Sequence, residues 1–382
     1  MIAKIAIPIV LAILLSSLYF DWQHWCHKKW WKRLLCWLLP VVAVACTVKM
    51  AFEPDYFPDN IHELDAYLAL LSVFIVPLFL VALCGVVGLW RGKRKLGEGI
   101  GWGLTLVAVF FYAYGTFVGS KEFEVRHVEL AFDDLPEAFD GYRIVQFSDI
   151  HLGTFVDNRV DYLRRAVDSI NAQQADAVVF TGDIQNKQPS EIEPHMELLS
   201  SIRARDGIFS VLGNHDYCEY IGSKDVFVIG ANLGLTRSMQ EDMKWTLLNN
   251  GRRHIRRDSA SIVMAGMEND GEGRFPELGN VNAALAGIRR DEFVIMLEHD
   301  PTSWRRKILP HCHAQLTLSG HTHGGQIQLF GWSPAQLIYR ECNGLYHAGK
   351  RMLYVSKGLG GVIPFRFGAP GEIVVITLRR SK

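Results

Sequence analysis

Four long apolar segments in the first third of the chain restrict what it can fold into. Hydrophobic residues make up 49% of the 382 residues. The segments are Ile5–Phe20, Leu35–Ala51, Ala66–Trp90 and Ile100–Val118. Each is close to the roughly 20 residues with which a helix crosses a bilayer core. Four such segments with few charges favour transmembrane helices over buried helices of a soluble protein, so we predict a membrane domain over residues 1–120 with about four transmembrane helices.

Charged residues between these segments predict an orientation. Basic residues follow the first and third segments, and they are Lys28, Lys29, Lys32, Arg33, Arg91, Lys93, Arg94 and Lys95. The second connection is acidic, with Glu53, Asp55, Asp59, Glu63 and Asp65. Because positively charged loops stay in the cytoplasm, everything after Val118 is predicted on the extracytoplasmic side. A cleaved signal peptide in place of the first span would reverse this, but no clear cleavage site follows that segment.

From Lys121 onward the pattern of apolar and polar residues is typical of a water-soluble α/β domain, which we predict over residues 121–382. Short apolar or β-branched runs bounded by Gly, Pro, Asp or Asn are typical of buried strands. The predicted strands are Phe123–Phe132, Tyr142–Ser148, Ala177–Thr181, Ile208–Leu212, Ser261–Ala265, Phe293–Leu297, Gln315–Ser319, Met352–Val355 and Glu372–Leu378. An amphipathic helix is predicted after Asp157. The alternation of strand and helix predicts α/β layers.

Polar motifs rich in Asp, Asn and His follow five of these strands. They are S-D-I-H at 148–151, G-D at 182–183, G-N-H-D at 213–216, E-H-D at 298–300 and G-H-T-H at 320–323. In α/β sheets, ligands bind at the carboxyl ends of strands, so these motifs can converge. A single His after a strand is more often a solvated side chain, but five such motifs together predict a metal centre.

The donor set fits two divalent ions that act together in hydrolysis. Carboxylates, imidazoles and an amide oxygen suit manganese, iron or zinc. Two such ions can bind a phosphoryl group and generate a hydroxide between them. In an extended segment, residues two apart point to the same side, so Asp149 and His151 can reach the centre together, as can His321 and His323.

The five motifs in this order resemble the calcineurin-like metallophosphoesterases. The pattern D-x-H, G-D, G-N-H-D, H and G-H-x-H extends over residues 142–377. The sequences S-D-I-H-L-G, G-N-H-D-Y and G-H-T-H-G-G-Q are similar to the membrane-associated bacterial branch of that family. The resemblance implies a four-layer α-β-β-α sandwich with two metal ions, attached here to the helical membrane region.

The resemblance also implies a role for each motif residue. The first metal would bind Asp149, His151, Asp183 and His323. The second would bind Asp183, Asn214, His299 and His321, so that Asp183 bridges the two ions. His215 would contact phosphate and protonate the leaving alkoxide, and Asp216 would orient His215 or raise its pKa. Arg366, in the segment 356–370, would bind substrate at the rim. Asp300 stands where relatives often have Glu.

The resulting hypothesis is a membrane-anchored phosphoesterase that uses a metal-bridging hydroxide. The membrane domain points to a lipid-linked or envelope phosphodiester as substrate and to the lipid bilayer as partner. A phosphomonoesterase or pyrophosphatase acting on a soluble extracytoplasmic substrate remains an alternative. A non-catalytic scaffold or sensor is disfavoured, because a pure binding site has no use for His215. No nucleic-acid partner is expected, and the arginines within 252–257 are interpreted as a solvated turn.

Overall fold

The structure is a computed structural model that describes residues 2–53 and 58–381. Asp55 of the acidic connection lies outside the described residues. The chain divides into two compact units, Met1–Gly115 and Thr116–Lys382. The domain boundary between residues 120 and 121 stays a prediction.

The first unit is helical, as its apolar segments predict. Its helices are α1 (Ile2–Phe20), α2 (Trp30–Phe52), α3 (Ile61–Leu70), α4 (Val76–Trp90) and α5 (Arg94–Phe117). The π-helical residues 71–75 join α3 to α4. By length and composition, four helices of the described chain can cross a membrane: Ile5–Trp25, Trp30–Phe52, Ile61–Trp90 and Arg94–Lys121. The number of crossings and the side of the second unit stay predictions.

Small residues allow α4 and α5 to pack closely. A Cβ on Gly101 would lie 2.6 Å from the Val81 Cα, and one on Gly97 would clash with the Cys84 carbonyl. Helices in a bilayer gain little from hydrophobic burial against each other, so close backbone packing of this kind stabilises their association.

The second unit contains two six-stranded sheets. Its strands are β1 (Phe123–Phe132), β2 (Arg143–Phe147), β3 (Ala177–Thr181), β4 (Ile208–Val211), β5 (Trp245–Leu247), β6 (Gly251–Arg257), β7 (Ala260–Gly266), β8 (Phe293–Leu297), β9 (Leu316–Ser319), β10 (Gly344–Ala348), β11 (Arg351–Val355) and β12 (Gly371–Arg380). The first sheet has the order β1-β12-β2-β3-β4-β5 and the second β10-β11-β9-β8-β7-β6. The neighbouring strands β2, β3, β4 and β5 run parallel, as do β7, β8, β9 and β11.

The sheets pack face to face and helices cover their outer faces. The helices are α6 (Val160–Ala172), α7 (Met196–Ser200), α8 (Val226–Asp242), α9 (Val281–Ala284) and α10 (Leu309–His311). Alternate strand residues enter different cores: Val179 packs between the sheets, whereas Val178 packs against Leu163 of α6. In the second sheet, Val294 packs against Trp304 on the outer side. This arrangement confirms the predicted four-layer α-β-β-α sandwich.

The structure corrects the interpretation of residues 252–257, which form the edge strand β6 and not a turn. This strand pairs antiparallel with β7 over its whole length. Ile255 is buried in the core between the sheets. Arg257 stacks on Tyr142, with its guanidinium 4.6 Å from the ring centroid, and forms an ion pair with Asp176. Charged side chains are a common feature of edge strands, because they oppose pairing with other chains.

Candidate metal centre

All the motif residues lie on loops at the carboxyl ends of strands from both sheets. Asp149, Asp183 and Asn214 follow β2, β3 and β4 of the first sheet. The second sheet contributes His299 after β8, and His321 and His323 after β9. The centre therefore lies where the edges of the two sheets meet, as the positions of the motifs predict.

One group of potential ligands surrounds Asp149 and His151. The ligand atoms of Asp149, His151 and His323 lie within 4.8 Å of one another. His323 Nε2 is 3.7 Å from Asp149 Oδ1, and His151 Nε2 is 3.6 Å from Asp183 Oδ2. The Asp149 carboxylate also accepts the backbone N–H of His321 at 2.9 Å, which fixes its direction.

A second group shares Asp183. The ligand atoms of Asp183, His299 and His321 also lie within 4.8 Å of one another. His299 donates from Nδ1 to the Thr181 carbonyl at 2.7 Å, so its Nε2 faces Asp183 Oδ2 at 3.2 Å. The Asn214 Oδ1 is 2.9 Å from His321 Nδ1. Asp183 therefore lies between the two groups, as a bridging ligand must.

The backbone at this centre is strained. Five of the predicted ligands adopt left-handed φ angles that favour glycine: Asp149 (51°), His151 (56°), Asp183 (61°), His321 (73°) and His323 (53°). Each such residue costs about 1 kcal/mol or more, and such residues cluster at functional sites. Close packing adds a second constraint, since a Cβ on Gly182 would lie 2.7 Å from His299 Nδ1.

The residues present fit a pair of metal ions. Both ring nitrogens of His151 and Nδ1 of His323 are buried and have no hydrogen-bond partner among the described residues. His299 Nε2 and His321 Nδ1 are only 3.2 Å apart. Each of these two nitrogens also lies beside an oxygen of another predicted ligand, Asp183 Oδ2 at 3.2 Å and Asn214 Oδ1 at 2.9 Å. Lone pairs without partners around a shared carboxylate are what a metal-binding cluster requires.

Burial keeps most of these imidazoles in the form that binds metal. It lowers the pKa of His151 to about 3 and that of His321 to about 4. Burial also raises the pKa of Asp149 to about 7. At Asp183, burial has the opposite effect to that of the neighbouring His299, and the imidazoles prevail, so its pKa is well below its usual range. Neutral imidazole and ionised carboxylate are the forms in which these side chains bind divalent ions, so His151, His321 and Asp183 are in the binding form. His299 differs, because burial, which lowers the pKa of its imidazole, is outweighed by the Asp183 and Asp149 charges and by hydrogen bonds, which raise that pKa well above the usual range.

His215 lies beside the ligand groups and has one ring nitrogen available. Its Nδ1 donates to the Asn186 carbonyl at 2.6 Å. The ring stacks on Tyr220 with centroids 4.4 Å apart. A His215 ring nitrogen lies within 4.8 Å of ligand atoms of His151 and Asp183. Because Nδ1 is already engaged, Nε2 is the nitrogen that can act on a substrate.

The structure corrects the role predicted for Asp216. Its carboxylate is buried and accepts four backbone N–H groups, from Asp183 and Gly213 through Oδ2 and from Ile184 and Gln185 through Oδ1. These bonds tie the loop after β3 to the loop after β4. The Asn186 carbonyl, and not Asp216, orients the His215 ring. Asp216 is therefore a positioning residue for the backbone at Asp183.

Arg366 is also placed differently from the prediction. Its side chain is 2% exposed. Its guanidinium donates to five backbone carbonyls, those of Lys357, Gly358, Gly360, Ala369 and Pro370. With these donors occupied, Arg366 holds the 357–370 segment together and does not face substrate. Gly358 of this segment packs against Asp149, because a Cβ there would lie 2.6 Å from that of Asp149.

Two residues at the centre were missed by the sequence reasoning. Asn186 fixes His215 through its backbone carbonyl, a role that no side-chain pattern encodes. The hydroxyl of Tyr339 lies 3.1 Å from His321 Nε2, and Asp300 Oδ2 lies 3.7 Å from the same nitrogen. Partners on the outer nitrogen of a ligand histidine fix its ring orientation and tautomer. In the sequence, Tyr339 lies far from the end of every strand that a motif follows.

The fold and the centre together define a metal-dependent hydrolase of the layered α/β type. A family model described as calcineurin-like phosphoesterase matches residues 142–325. The chain is 30% identical over 283 residues to the uncharacterized metallophosphoesterase YkuE of Bacillus subtilis, which covers 71% of this chain and 90% of that protein. The chain therefore belongs to the calcineurin-like phosphoesterases, which are phosphoric ester hydrolases with a dimetal centre.

Two further relatives are also similar over most of the chain. One is the transmembrane protein with metallophosphoesterase domain of Danio rerio, 28% identical over 375 residues, which cover 91% of this chain and 81% of that protein. The other is UDP-2,3-diacylglucosamine pyrophosphatase LpxG of Chlamydia muridarum, 25% identical over 331 residues, which cover 72% of this chain and 97% of that protein. The apolar helices and the first of these relatives indicate membrane association.

Replacing Asp183 by Asn should remove metal from the purified chain. Asn offers one neutral oxygen in place of a charged, bridging carboxylate, so we expect the loss of at least one metal ion per chain and of detectable esterase activity. Metal content is measured by inductively coupled plasma mass spectrometry. The matched control is Asp176→Asn, because Asp176 is buried at the other end of β3. Full metal content in Asp183→Asn would contradict the bridging assignment.

Replacing Arg366 by Met separates a structural role from substrate binding. We expect a loss of about 1–3 kcal/mol of stability, because buried carbonyls lose their donors, with KM for a soluble ester unchanged. Thermal unfolding and steady-state kinetics are measured on the full chain in detergent. Arg256→Met, at an exposed position of β6, is the control. A higher KM at unchanged stability would restore Arg366 as a substrate ligand.

Proposed function

We propose that this chain is a membrane-anchored phosphodiesterase that hydrolyses a lipid-linked or envelope phosphoester. The observation that carries the proposal is the cluster of buried Asp and His side chains at the sheet edge, in a chain with four helices able to cross a membrane. The similarity to a protein named UDP-2,3-diacylglucosamine pyrophosphatase supports a lipid-linked substrate.

In this proposal each metal has its own ligand group. Asp149, His151, Asp183 and His323 hold one ion, and Asp183, Asn214, His299 and His321 hold the other. Mixed imidazole and carboxylate ligands suit manganese, iron or zinc. When bound, such a pair supplies Lewis-acid activation of the phosphoryl group and of a water nucleophile. The left-handed backbone and the Asp216 hydrogen bonds keep the carboxylates in place.

His215 completes the proposed chemistry as the general acid. The Asn186 carbonyl holds the Nδ1 proton, so the second proton of the imidazolium is carried on Nε2, beside the ligand groups. Transfer of that proton to the departing oxygen prevents the accumulation of an alkoxide. Stacking on Tyr220 limits rotation of the ring during the transfer.

The first test compares lipid and soluble esters on the full chain in detergent with manganese. Bis-p-nitrophenyl phosphate and p-nitrophenyl phosphate separate diesterase from monoesterase activity. UDP-2,3-diacylglucosamine in mixed micelles tests the lipid-linked class. A higher kcat/KM for the lipid ester supports the proposal, and equal values favour a soluble substrate. A chain that binds two metals and turns over none of these esters would argue for a non-catalytic scaffold.

Replacing His215 by Ala should lower kcat on an alkyl phosphodiester by roughly 10²–10⁴-fold, the usual contribution of a general acid. The loss should be smaller for bis-p-nitrophenyl phosphate, because p-nitrophenolate departs without protonation. Metal content should stay at the wild-type level, which distinguishes this variant from Asp183→Asn. An equal loss on both esters would rule out the leaving-group role.

We also propose that the catalytic unit lies on the extracytoplasmic side, because the basic connections 28–33 and 91–95 are retained in the cytoplasm. A carboxy-terminal fusion to bacterial alkaline phosphatase should then be active in cells, since that enzyme needs the oxidising periplasm to form its disulfides. Green fluorescent protein does not become fluorescent when it is exported through the general secretory route, so a carboxy-terminal fusion to it should be dark. The opposite pattern would place the catalytic unit in the cytoplasm.

A further inference from the structure

A loop beside the metal centre exposes large apolar side chains to solvent. The 326–339 loop follows the turn of His323–Gly325 and precedes Cys342. Its exposed residues are Leu329 (45%), Phe330 (108%), Trp332 (50%), Leu337 (78%) and Ile338 (79%). Ile363, on the adjacent segment, is 41% exposed. Large contiguous apolar patches on a water-soluble domain mark interaction surfaces.

The tip of this loop is a strained turn with an aromatic residue at an unusual position. Leu329 and Trp332 exchange two backbone hydrogen bonds of 2.9 Å. The two residues between them, Phe330 and Gly331, have φ angles of 52° and 80°. Turns with two positive φ angles usually contain Asn-Gly. A Phe in the left-handed region destabilises the fold, and a fully exposed Phe gains no packing contacts that would offset this. The position therefore points to a function outside the folded unit.

The base of the loop is held firmly next to the centre. Gln326 donates from Nε2 to the carbonyls of Ile363 and Phe365 at 2.9 and 3.0 Å. The Gln328 N–H donates to the Phe367 carbonyl at 2.8 Å. At the far end, the Tyr339 hydroxyl contacts His321. The apolar tip is thus presented at a fixed place relative to a metal ligand.

The chemistry of the loop fits a lipid surface better than a protein groove. Residues 326–340 contain no Asp or Glu, and the charged residue among them, Arg340, has a side chain 75% exposed. Exposed Phe, Trp and Leu side chains are typical of segments that enter the headgroup region of a bilayer, and the one charged residue, Arg340, pairs with Glu341 at 3.7 Å. A hairpin tip is also convex, so it inserts into a partner and does not enclose one.

The connection between α5 and β1 keeps the catalytic unit near a bilayer. Residues 118–122 separate the two elements. Even a fully extended chain of that length spans less than about 20 Å. If α5 crosses a bilayer, the short connection tethers the catalytic unit to it, which raises the effective concentration of lipid around that unit.

We propose that the tip of the 326–339 loop inserts into the lipid bilayer and delivers a lipid-linked phosphoester to the metal centre. The delivery step rests on the proposed function, whereas insertion does not. A second copy of this chain or a separate protein are the other occupants that the test must distinguish.

Insertion is tested with a nitroxide spin label in nanodiscs of phosphatidylcholine and phosphatidylglycerol. Cys26, Cys36, Cys46, Cys84 and Cys312 are replaced by Ser. Cys218 and Cys342 stay, because burial raises the pKa of both thiols to about 11 and shields them from the label. The label is attached at Phe330→Cys, or at Leu235→Cys as the control on α8, where the native side chain is 52% exposed.

Insertion predicts that the label at position 330 is more accessible to oxygen than to a water-soluble nickel chelate, with the reverse order at position 235. Greater nickel accessibility at both positions would overturn the proposal. Broadening from spin–spin coupling that disappears on dilution with unlabelled chain would assign the patch to a second copy and overturn it as well. Retained hydrolysis of bis-p-nitrophenyl phosphate shows that the labelled chains are folded.

A second variant keeps the native cysteines and tests delivery. Phe330→Ser with Trp332→Ser should raise the surface KM for a lipid ester in mixed micelles about tenfold, because two aromatic side chains that insertion would bury in the lipid are removed. Kinetics on bis-p-nitrophenyl phosphate should not change, and Leu235→Ser should affect neither substrate. An unchanged surface KM would overturn delivery. Failure of the wild type to hydrolyse any lipid ester would instead reject the proposed substrate, and the spin label would still decide insertion.

Discussion

The Asp183 carboxylate is the group on which the rest of the catalytic unit depends. It is buried among imidazoles and lies between both ligand groups. An isolated buried charge of this kind would be strongly destabilising. His299, the Asp216 hydrogen bonds and the left-handed backbone all serve to hold the Asp183 loop in place. The fold supplies the sheet edge, and the strained residues at that edge are of the kind that cluster at functional sites.

The strands of the fold were largely predictable, because buried strands leave a local pattern. All nine predicted strands are present, and the motif loops follow them as expected. Three strands were missed. β5 has only three residues, and β10 has no fully buried residue, so neither shows a clear apolar run. In β6 a single Ile among arginines gives no alternating pattern, and its pairing with β7 depends on tertiary context.

The structure brings the predicted ligand residues together, but the groups that hold them in place were not predicted from the sequence. Asp, His and Asn carry their chemistry in the side chain, so their position after a strand is informative. The roles of Asp216 and Arg366 depend on where backbone N–H and carbonyl groups lie in space. Both side chains carry charge and were assigned to substrate or catalysis, yet both are fully engaged by the backbone. Charge beside a motif does not distinguish a catalytic group from one that stabilises a loop.

The division of the predicted ligands between the two sheets has a consequence for the stability of this enzyme. The first sheet contributes the carboxylates of Asp149 and Asp183, the Asn214 amide and the His151 imidazole, and the second sheet contributes His299, His321 and His323. Ions held by these ligand groups would join the two sheets, and their binding free energy would add to the free energy of unfolding. Removal of metal would then lower the stability of the catalytic unit along with its activity.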